Sequence, residues 1–347
     1  AHGNVVADAV QVQSATLKVG GESTSASLTV NETLVIDKTH TGNQNIDVEN
    51  LGTLTLGKNI VLDKNGELKT EYLDTVPSHV KAGGTLKVNG LDGKTLTDKE
   101  LASLKGLLNS NISGIPAGEG LLDLGSADLG KAVTPNANGT VSYDNVAGIT
   151  TDSLKDTTVQ VTKDQNEKGI SGGFQAVQLT EDKELNAKGT LVLNGSAEDG
   201  NLVQDMDGNV ASLRIGGKAP QATSVVTLGD ANAANKGMLG NVILNAGSTN
   251  KATLNVVGNG KAEFTIGNVT ANNSQNTVNV AGATLNTGDI TVDAGSNTYK
   301  DIDLNVTNGT VNSKNAEIAN ATVTNGAVNA RGDLTVTNAK LANGALT

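Results

Sequence analysis

Four-residue segments that alternate a polar with an aliphatic residue recur along almost the whole chain. Examples are TLKV at 16–19, TLTL at 53–56, TVQV at 158–161, TLNV at 253–256 and DLTV at 333–336. Because successive side chains point to opposite faces of a strand, each segment predicts a short strand with one buried face. Glycine, asparagine, aspartate and serine separate the segments, as turn geometry requires. The pattern therefore predicts an all-β protein with many short strands.

The composition narrows the architecture that these strands can form. Aromatic residues make up 1% of the 347 residues and tryptophan is absent, so aliphatic side chains must fill the interior. Glycine outnumbers proline by 42 to 4, which indicates tight turns rather than stiff linkers. Short strands, small turns and aliphatic rows favour a parallel β-helix, or β-solenoid, over a series of β-sandwiches.

Residue spacing near the end of the sequence also favours a β-solenoid. Leu254 and Val278 lie 24 positions apart, and both Phe264 with Ile290 and Val278 with Leu304 lie 26 positions apart. A period in this range is typical of repeat architectures. We therefore expect these residues to stack on one another in successive coils.

One stretch departs from the strand pattern. The segment TLTDKELASLKGLLN at 95–109 predicts a helix over about 97–109, because Thr97 and Glu100 have the spacing of a capping box. Four leucines would share its apolar face, namely Leu101, Leu104, Leu107 and Leu108. We expect this helix to lie in a small inserted subdomain. The predicted segments are strand coils at 1–70, the insertion at 71–150, a β-rich segment at 151–245 and solenoid coils at 246–347.

Asparagine is abundant between and within the predicted strands. Asparagine side chains in successive coils can hydrogen-bond along a ladder, and asparagine tolerates the left-handed conformation of tight corners. The alternative interpretation is that asparagine only fills exposed turns. Both interpretations are compatible with the sequence.

A five-residue pattern marks the stretch NAEIANATVTNGAVN at 315–329 and returns in NAKLA and NGALT at 338–347. Each unit begins with asparagine, continues with alanine or glycine and has an aliphatic residue fourth. We interpret these units as tight rungs or short side strands of a wider solenoid. The aliphatic residues predicted to point inward are Ile318, Val323, Val328, Leu334 and Leu341.

Two short motifs could carry chemistry. In AEDGNLVQDMDGN at 197–209, Asp205, Asp207 and Asn209 alternate and could offer oxygen ligands to calcium. The spacing does not match an EF-hand loop, so a solvated acidic turn is the alternative. The tripeptide Arg331–Gly332–Asp333 could bind a receptor if exposed, although any turn before the strand DLTV could have this sequence.

The sequence gives little support for zinc, thiol, nucleic-acid or membrane sites. The three histidines, His2, His40 and His79, lack a second ligand at zinc spacing. Cysteine is absent, which excludes disulfide scaffolds and thiol nucleophiles. A net charge of −11 disfavours nucleic acid as a partner, and no apolar run is long enough for a membrane span. The sequence predicts no cofactor, with calcium the one exception to consider.

Several segments resemble the rungs of bacterial autotransporter passenger domains and related β-solenoid surface adhesins. They are LGTLTLGKN at 51–59, AGGTLKVNG at 82–90, KGTLVLNGS at 188–196 and RGDLTVTNA at 331–339. The resemblance covers about two thirds of the chain. It implies a secreted, right-handed parallel β-helix on a Gram-negative cell surface, with a role in adhesion, aggregation or biofilm.

The sequence thus predicts a non-enzymatic extracellular or cell-surface protein, an adhesin that acts through adhesion or self-association. Its expected partners are other copies of itself and host surface or matrix glycans and proteins. One alternative is a self-assembling subunit of a surface layer or filament. A second alternative is a polysaccharide-degrading β-helix enzyme, although such enzymes need clustered carboxylates with basic residues, and arginine occurs only at positions 214 and 331.

Overall fold

A computed structural model describes residues 3–13, 15–21, 25–37, 45–73, 76, 78–108, 119–130, 133–217, 223–246, 251–272, 275–293 and 301–347. Strand accounts for 56% and helix for 10%, so the protein is mostly β-sheet. The chain forms two compact units. The first contains Ala1–Leu154 and Ser171–Gly173, and the second contains Lys155–Ile170 and Phe174–Thr347. The finer predicted division at residues 70, 150 and 245 stays a prediction.

The first unit is built on two parallel ladders. One ladder has the strand order β1-β3-β5-β7-β8-β10 and the other has the order β2-β4-β6. The strands are β1 Gly3–Gln13, β2 Thr16–Val19, β3 Ala26–Asp37, β4 Asn45–Val48, β5 Gly52–Leu56, β6 Ser78–Val80, β7 Thr85–Val88, β8 Leu121–Asp123, β9 Val141–Ser142 and β10 Ile149–Thr150. The helices are α1 Lys58–Val61, α2 Thr70–Leu73, α3 Asp98–Gly106 and α4 Tyr143–Val146, and a 3-10 helix spans Asp152–Leu154.

The predicted helix is confirmed as α3, although α3 ends at Gly106 rather than near position 109. The Thr97 side chain accepts a hydrogen bond from the backbone N–H of Glu100, and the Glu100 carboxylate accepts one from the backbone N–H of Thr97. This reciprocal capping box fixes the start of the helix. All four predicted leucines of the apolar face are buried. Position 109, the predicted last residue, lies outside the described residues.

The second unit contains the longer strands. Strand β13 pairs in parallel with both β11 and β15, and α5 Lys163–Lys168 follows β11. Strand β12 spans Ile170–Phe174, and its residues Ser171–Gly173 are counted with the first unit. The other strands are β11 Thr158–Val161, β13 Ala176–Leu179, β14 Glu184–Leu193, β15 Val203–Gln204, β16 Ser212–Ile215, β17 Ser224–Leu228, β18 Lys236–Leu239, β19 Val242–Asn245, β20 Ala252–Ile266, β21 Val269–Asn272, β22 Asn276–Thr287, β23 Ile290–Val292, β24 Ile302–Thr307, β25 Thr310–Ser313, β26 Ala316–Thr324, β27 Ala327–Ala330, β28 Leu334–Ala342 and β29 Ala345–Leu346.

The prediction of a parallel β-helix fold was wrong. In the second unit, ten parallel strands form a closed barrel, accompanied by further parallel sheets. The order around this ten-stranded ring is β20-β17-β14-β16-β19-β21-β23-β26-β24-β22, and β22 pairs again with β20. Each strand of the ring therefore pairs with the strands before and after it in this order.

Long bent strands explain why the short-strand prediction missed the ring. The first half of β14 pairs with β16 and its second half pairs with β17, with Gly189 at a φ of 77° where the halves meet. Strand β26 similarly pairs with β23 at Ala316 and with β24 from Asn320 onward. The ladder that contains β16 and β23 is therefore joined to the ladder that contains β17 and β24 at two places, through β14 and through β26. These two joins close the ring. Sequence segments such as TLNV and EFTI lie within a single strand, β20, rather than in separate strands.

Two of the three predicted stacking pairs are confirmed. Leu254 pairs with Val278, and Val278 pairs with Leu304, in parallel ladders. The third was wrong, because Phe264 pairs with Leu285 rather than with Ile290. The pairing of β20 with β22 shifts register between Val257 and Ala262, so Phe264 is matched with Leu285 in the second half of β22.

Five aliphatic residues were predicted to point inward, and the outcome differs between those before β28 and those on β28. Ile318, Val323 and Val328 are buried, as predicted. Leu341 is 48% exposed, so the prediction was wrong for this residue, whereas Leu334 is half-buried and its prediction is neither confirmed nor contradicted. These two leucines occupy the inward row of β28, and no described strand pairs with β28 beyond its single partner, β26.

Candidate functional site: asparagine ladders and an exposed strand edge

Asparagine ladders run across the outward faces of the parallel strands. Asn279 on β22 donates its side-chain N–H to Oδ1 of Asn255 on β20 over 2.8 Å, and Asn305 on β24 donates to Oδ1 of Asn279 over 2.9 Å. The three residues are direct neighbours in the strand pairing. The ladder interpretation of the asparagine content is therefore confirmed for these positions.

Asparagine also occupies tight corners of the second unit. Asn308, Asn325 and Asn343 have φ values of 51°, 50° and 53° and follow β24, β26 and β28. Asn343 donates its side-chain N–H to Oδ1 of Asn325 over 3.3 Å. The predicted tolerance of asparagine for left-handed corners is thus confirmed, and the corner asparagines form a ladder of their own.

Three further ladders begin at a carboxylate. Asn320 donates to Oδ1 of Asp303 over 2.7 Å, and Asn338 donates to Oδ1 of Asn320 over 2.9 Å. A longer ladder begins at a glutamate and continues through three asparagines to a threonine, with donor–acceptor distances of 2.7–2.9 Å. Its members are Glu263, Asn286, Asn312, Asn329 and Thr347. The third begins at Asp289, which accepts from Asn315 over 2.7 Å.

The carboxylate sets the donor direction of each ladder. An ionised carboxylate can only accept hydrogen bonds, whereas an asparagine amide can donate and accept. Asn320 must therefore turn its N–H group toward Asp303 and its Oδ1 toward the next strand. Asn338 then repeats that orientation. Sequence reasoning missed this role of Asp303, Glu263 and Asp289, although a carboxylate at the ladder position one repeat before an asparagine was a visible signal.

We expect loss of the Asp303 carboxylate to loosen its whole ladder. Asp303→Ala should cost about 1 kcal/mol of local stability and speed side-chain amide exchange at both Asn320 and Asn338, since the acceptor that orients Asn320 is gone. Asp303→Asn should cost less, because an amide oxygen still accepts. NMR of the asparagine side-chain amides measures both effects.

Glu317→Ala is the matched control, since Glu317 is an exposed carboxylate on β26 outside the ladder. Equal changes for Asp303→Ala and Glu317→Ala would contradict a directing role for Asp303.

Strand β28 has an unpaired edge, because it pairs with β26 and with no other described strand. Its inward row continues the buried row of β26, where Ala316, Ile318 and Val323 are covered. On β28 the corresponding residues are Leu334, Val336 and Leu341, and each is half-buried or exposed. The row is apolar because it follows the core pattern, and it is exposed because β28 has no second partner among the described residues.

Two amide acceptors on this edge also lack a donor. Oδ1 of Asn320 accepts a hydrogen bond from the side chain of Asn338, and Oδ1 of Asn325 accepts one from the side chain of Asn343. Within the described part of the chain, no group donates to Oδ1 of Asn338 or of Asn343. Together with the apolar row, these acceptors define the β28 edge, a surface made of Leu334, Val336, Asn338, Leu341 and Asn343. Its shape and chemistry suit a further parallel strand that brings side-chain N–H donors.

The predicted receptor motif lies immediately before β28. All three residues of Arg331–Gly332–Asp333 are exposed. Their backbone N–H groups donate to Ser313 O, Lys314 O and Asn315 Oδ1, respectively. A Cβ at Gly332 would lie 2.2 Å from Asn315 Oδ1, so a side chain at this corner would displace the Asn315 amide. Turn formation accounts for the backbone of the motif, and receptor binding stays a prediction.

The predicted calcium ligands form a hydrogen-bonded turn. Oδ1 of Asp205 accepts from the backbone N–H groups of Asp207 and Asn209 over 3.0 and 2.8 Å, and the Asn209 side chain also donates to the carboxylate. These hydrogen bonds, chiefly from Asn209, hold the pKa of Asp205 below its ordinary value. The alternative of an acidic turn accounts for this geometry, and calcium binding stays a prediction.

The same turn occurs in the first unit, which supports a structural role for it. Oδ1 of Asp63 accepts from the backbone N–H groups of Asn65 and Glu67 over 2.8 and 2.9 Å. The Glu67 hydrogen bond likewise lowers the pKa of Asp63. Both turns place glycine at the fourth position, Gly66 and Gly208, with positive φ.

Other candidate groups are dispersed. His79 Nδ1 lies 3.8 Å from Asp47 Oδ1, while His2 and His40 lie outside the described residues. Among the described residues, no group of three or more histidine, aspartate or glutamate side chains could hold a metal ion. Arg214 forms a two-point ion pair with Glu184 on the neighbouring strand, with an Nε–Oε1 distance of 2.8 Å.

Comparison with known proteins adds no relative. No protein-family model, curated protein or solved structure matches the chain. In the described part of the chain, no helix combines the length and the apolar character that a membrane crossing needs.

Proposed function

We propose that this chain is a non-enzymatic structural protein of the extracellular space or a bacterial cell surface, which acts by adhesion and self-association. The observation that supports the proposal is the β28 edge, where an apolar row and unfilled amide acceptors face outward. Exposed apolar groups and free strand edges of this kind commonly bind partners. The long asparagine ladders behind this edge supply a rigid, hydrogen-bonded support for it.

A self-assembling subunit of a surface layer or filament is the second candidate. It is favoured by the same edge, because an unpaired parallel strand can accept a strand from a neighbouring molecule. The two candidates differ in their partner, which is a foreign surface for an adhesin and the same protein for a lattice subunit.

Two measurements on the purified chain test the proposal. Sedimentation velocity from 1 to about 200 μM reports self-association, a range that covers the micromolar affinities typical of weak interfaces. Binding to bacterial cells, extracellular matrix and a glycan array reports adhesion. We expect at least one of these interactions. A chain that stays monomeric and binds none of the surfaces would contradict the proposal, and so would product formation from acidic polysaccharides.

A further inference from the structure

Both methionines of the chain are exposed on the second unit. Met206 is 51% and Met238 is 38% exposed, and a third apolar side chain, Val210, is 47% exposed. Methionine is among the residues most often found in protein interiors, so the exposure of both is informative. In the described part of the second unit, the only other large apolar side chain that is exposed is Leu341.

Contacts of Asn201 bring these three side chains to one region. Asn201 is the parallel bridge partner of Met238. Its side chain donates an N–H to Gly208 O over 2.9 Å. Gly208 in turn lies two residues after Met206 and two residues before Val210. The two segments that carry the exposed apolar side chains are therefore in direct contact. We call the surface made of Met206, Val210 and Met238 the methionine patch.

The turn that carries two members of the methionine patch is held by hydrogen bonds. The backbone N–H of Asp205 donates to Asn209 O over 3.0 Å, and the backbone N–H of Gly208 donates to Asp205 O over 3.1 Å. The Asp205 carboxylate also accepts from backbone N–H groups of the same turn. Met206 and Val210 are thus presented by an ordered backbone, which reduces the entropy cost of binding a partner there.

Exposed carboxylates flank both segments of the methionine patch. They belong to Glu198, Asp199 and Asp207. Asp207 directly follows Met206 in the chain. Gly200 O, one residue after Asp199, accepts from the backbone N–H of Met238 over 2.7 Å. The patch therefore has an apolar centre with negative charge beside it on both segments.

Few positive charges offset these carboxylates. Residues 189–213 contain four carboxylates and no lysine, arginine or histidine. Lys236, on the same strand as Met238, is the strand-pairing neighbour of another carboxylate, Glu263. Lys183 is close enough to Asp205 to interact with its carboxylate. An excess of negative charge therefore remains around the methionine patch.

We infer that the methionine patch binds a basic polypeptide segment in which apolar side chains stand between lysines or arginines. The apolar side chains of such a segment would cover the patch, and its cations would lie beside the flanking carboxylates. Methionine is flexible and polarisable, so the patch can adapt to apolar side chains of different shape. The net charge of −11 on the whole chain also attracts cationic partners.

The same charges disfavour two other occupants. A second copy of the chain would bring its own flanking carboxylates against those of the first, and like charges at an interface repel. A membrane with anionic lipids carries a negative surface potential and would repel them as well. The inference goes beyond the proposed function, because it uses a surface other than the β28 edge and a partner of different chemistry.

Three synthetic peptides of about 14 residues, titrated calorimetrically into the purified chain, test the inference. One peptide alternates lysine with leucine, the second alternates lysine with serine, and the third alternates glutamate with leucine. We expect the lysine–leucine peptide to bind at least about tenfold more tightly than either of the others, because it alone matches both the apolar centre and the charge. Its affinity should fall as added salt screens the attraction.

Substitution of the two methionines tests the apolar part of the surface. The double variant Met206→Gln, Met238→Gln keeps the length of both side chains and should bind the lysine–leucine peptide at least about tenfold more weakly. Val35→Gln is the matched control, since Val35 is a 43% exposed apolar residue on β3 of the first unit. Circular dichroism establishes that each variant folds.

A second pair of variants tests the charge. Glu198→Gln with Asp207→Ser removes two carboxylates beside the methionine patch. Glu167→Gln with Glu317→Gln removes two exposed carboxylates elsewhere on the second unit and leaves the same net charge. We expect the first pair to weaken binding of the lysine–leucine peptide about fivefold or more and the second pair to leave it nearly unchanged.

Several outcomes would overturn the inference. Equal affinity for the lysine–leucine and lysine–serine peptides would indicate only a general attraction of cations to an acidic protein. Unchanged binding by the methionine double variant would place the peptide elsewhere, and no binding by the wild type would exclude it altogether.

Two further results would assign the methionine patch to another occupant. Self-association that the methionine double variant loses would assign it to a second copy. Binding to vesicles of phosphatidylcholine and phosphatidylglycerol that the same variant loses would assign it to a lipid surface. The β28 edge is unaltered in every variant, so failure of the peptide experiments leaves the proposed function standing.

Discussion

Replacing Phe264 by alanine is expected to lower the local stability of the second unit by about 3–5 kcal/mol. Phe264 is one of two phenylalanines in the chain and is fully buried. It lies on β20 between Gly237 of β18 and Leu285 of β22, so its ring fills the interior where two ladders meet. Because the chain has two compact units, amide hydrogen exchange in β20 and β22 is the appropriate measurement.

Phe264→Leu is the control for this experiment. Leucine keeps most of the apolar volume, so it should cost under about 1.5 kcal/mol. If Phe264→Ala changes exchange in these strands no more than Phe264→Leu does, the ring does not fill the interior as described.

Gly229→Ala is expected to cost about 3 kcal/mol. Gly229 has a φ of 91°, where a residue with a side chain is strained by about 1–2 kcal/mol. A Cβ there would also lie 2.3 Å from the backbone oxygen of Val257 and 2.9 Å from the Phe264 ring. The backbone oxygen belongs to a paired strand and cannot move freely, so the overlap adds about 1–3 kcal/mol.

Gly208→Ala separates the two contributions. Gly208 has a similar φ of 79°, and a Cβ added there would have no other atom within 4 Å. It should therefore cost only about 1 kcal/mol, from backbone strain alone. Hydrogen exchange in β17 and β20 reports the first substitution, and exchange around the Asp205 turn reports the second. Equal costs would show that the close approach at Gly229 is relieved by movement.

Local features were predictable because they depend on neighbours in sequence. The capping box of α3 needs only Thr97 and Glu100 at the right spacing. The asparagine ladders needed one further step, the assumption that residues one repeat apart are paired. Asn255, Asn279 and Asn305 satisfy it.

The closed ring was not predictable in the same way. Alternation shows which face of a strand is buried, but it does not show that β14 and β26 bend and divide their partners between two ladders. The exposure of Leu341 could not be predicted from the alternation either. Its position in the pattern assigns it to the inward row, whereas its exposure depends on whether another strand covers that row.

Prediction of the candidate sites was limited because one sequence pattern is compatible with two different roles. An alternating series such as Asp205, Asp207 and Asn209 has the same sequence whether the oxygens bind a cation or cap backbone N–H groups. Only the fold shows that the Asp205 carboxylate already accepts hydrogen bonds from the turn. The alternation pattern did not show that the inward row of β28 is exposed, because its residues obey the same pattern as those of buried strands.

The asparagine ladders also protect the protein against misalignment of its similar strands. Sliding β22 along β20 by two residues would keep every aliphatic side chain facing inward, so the hydrophobic pattern alone tolerates the error. The same slip would move Asn279 from Asn255 to Thr253 or Val257. Each broken amide contact would cost about 1 kcal/mol, and the error would propagate along the ladder. A chain this repetitive can thus fold into one alignment because its amides recognise one another.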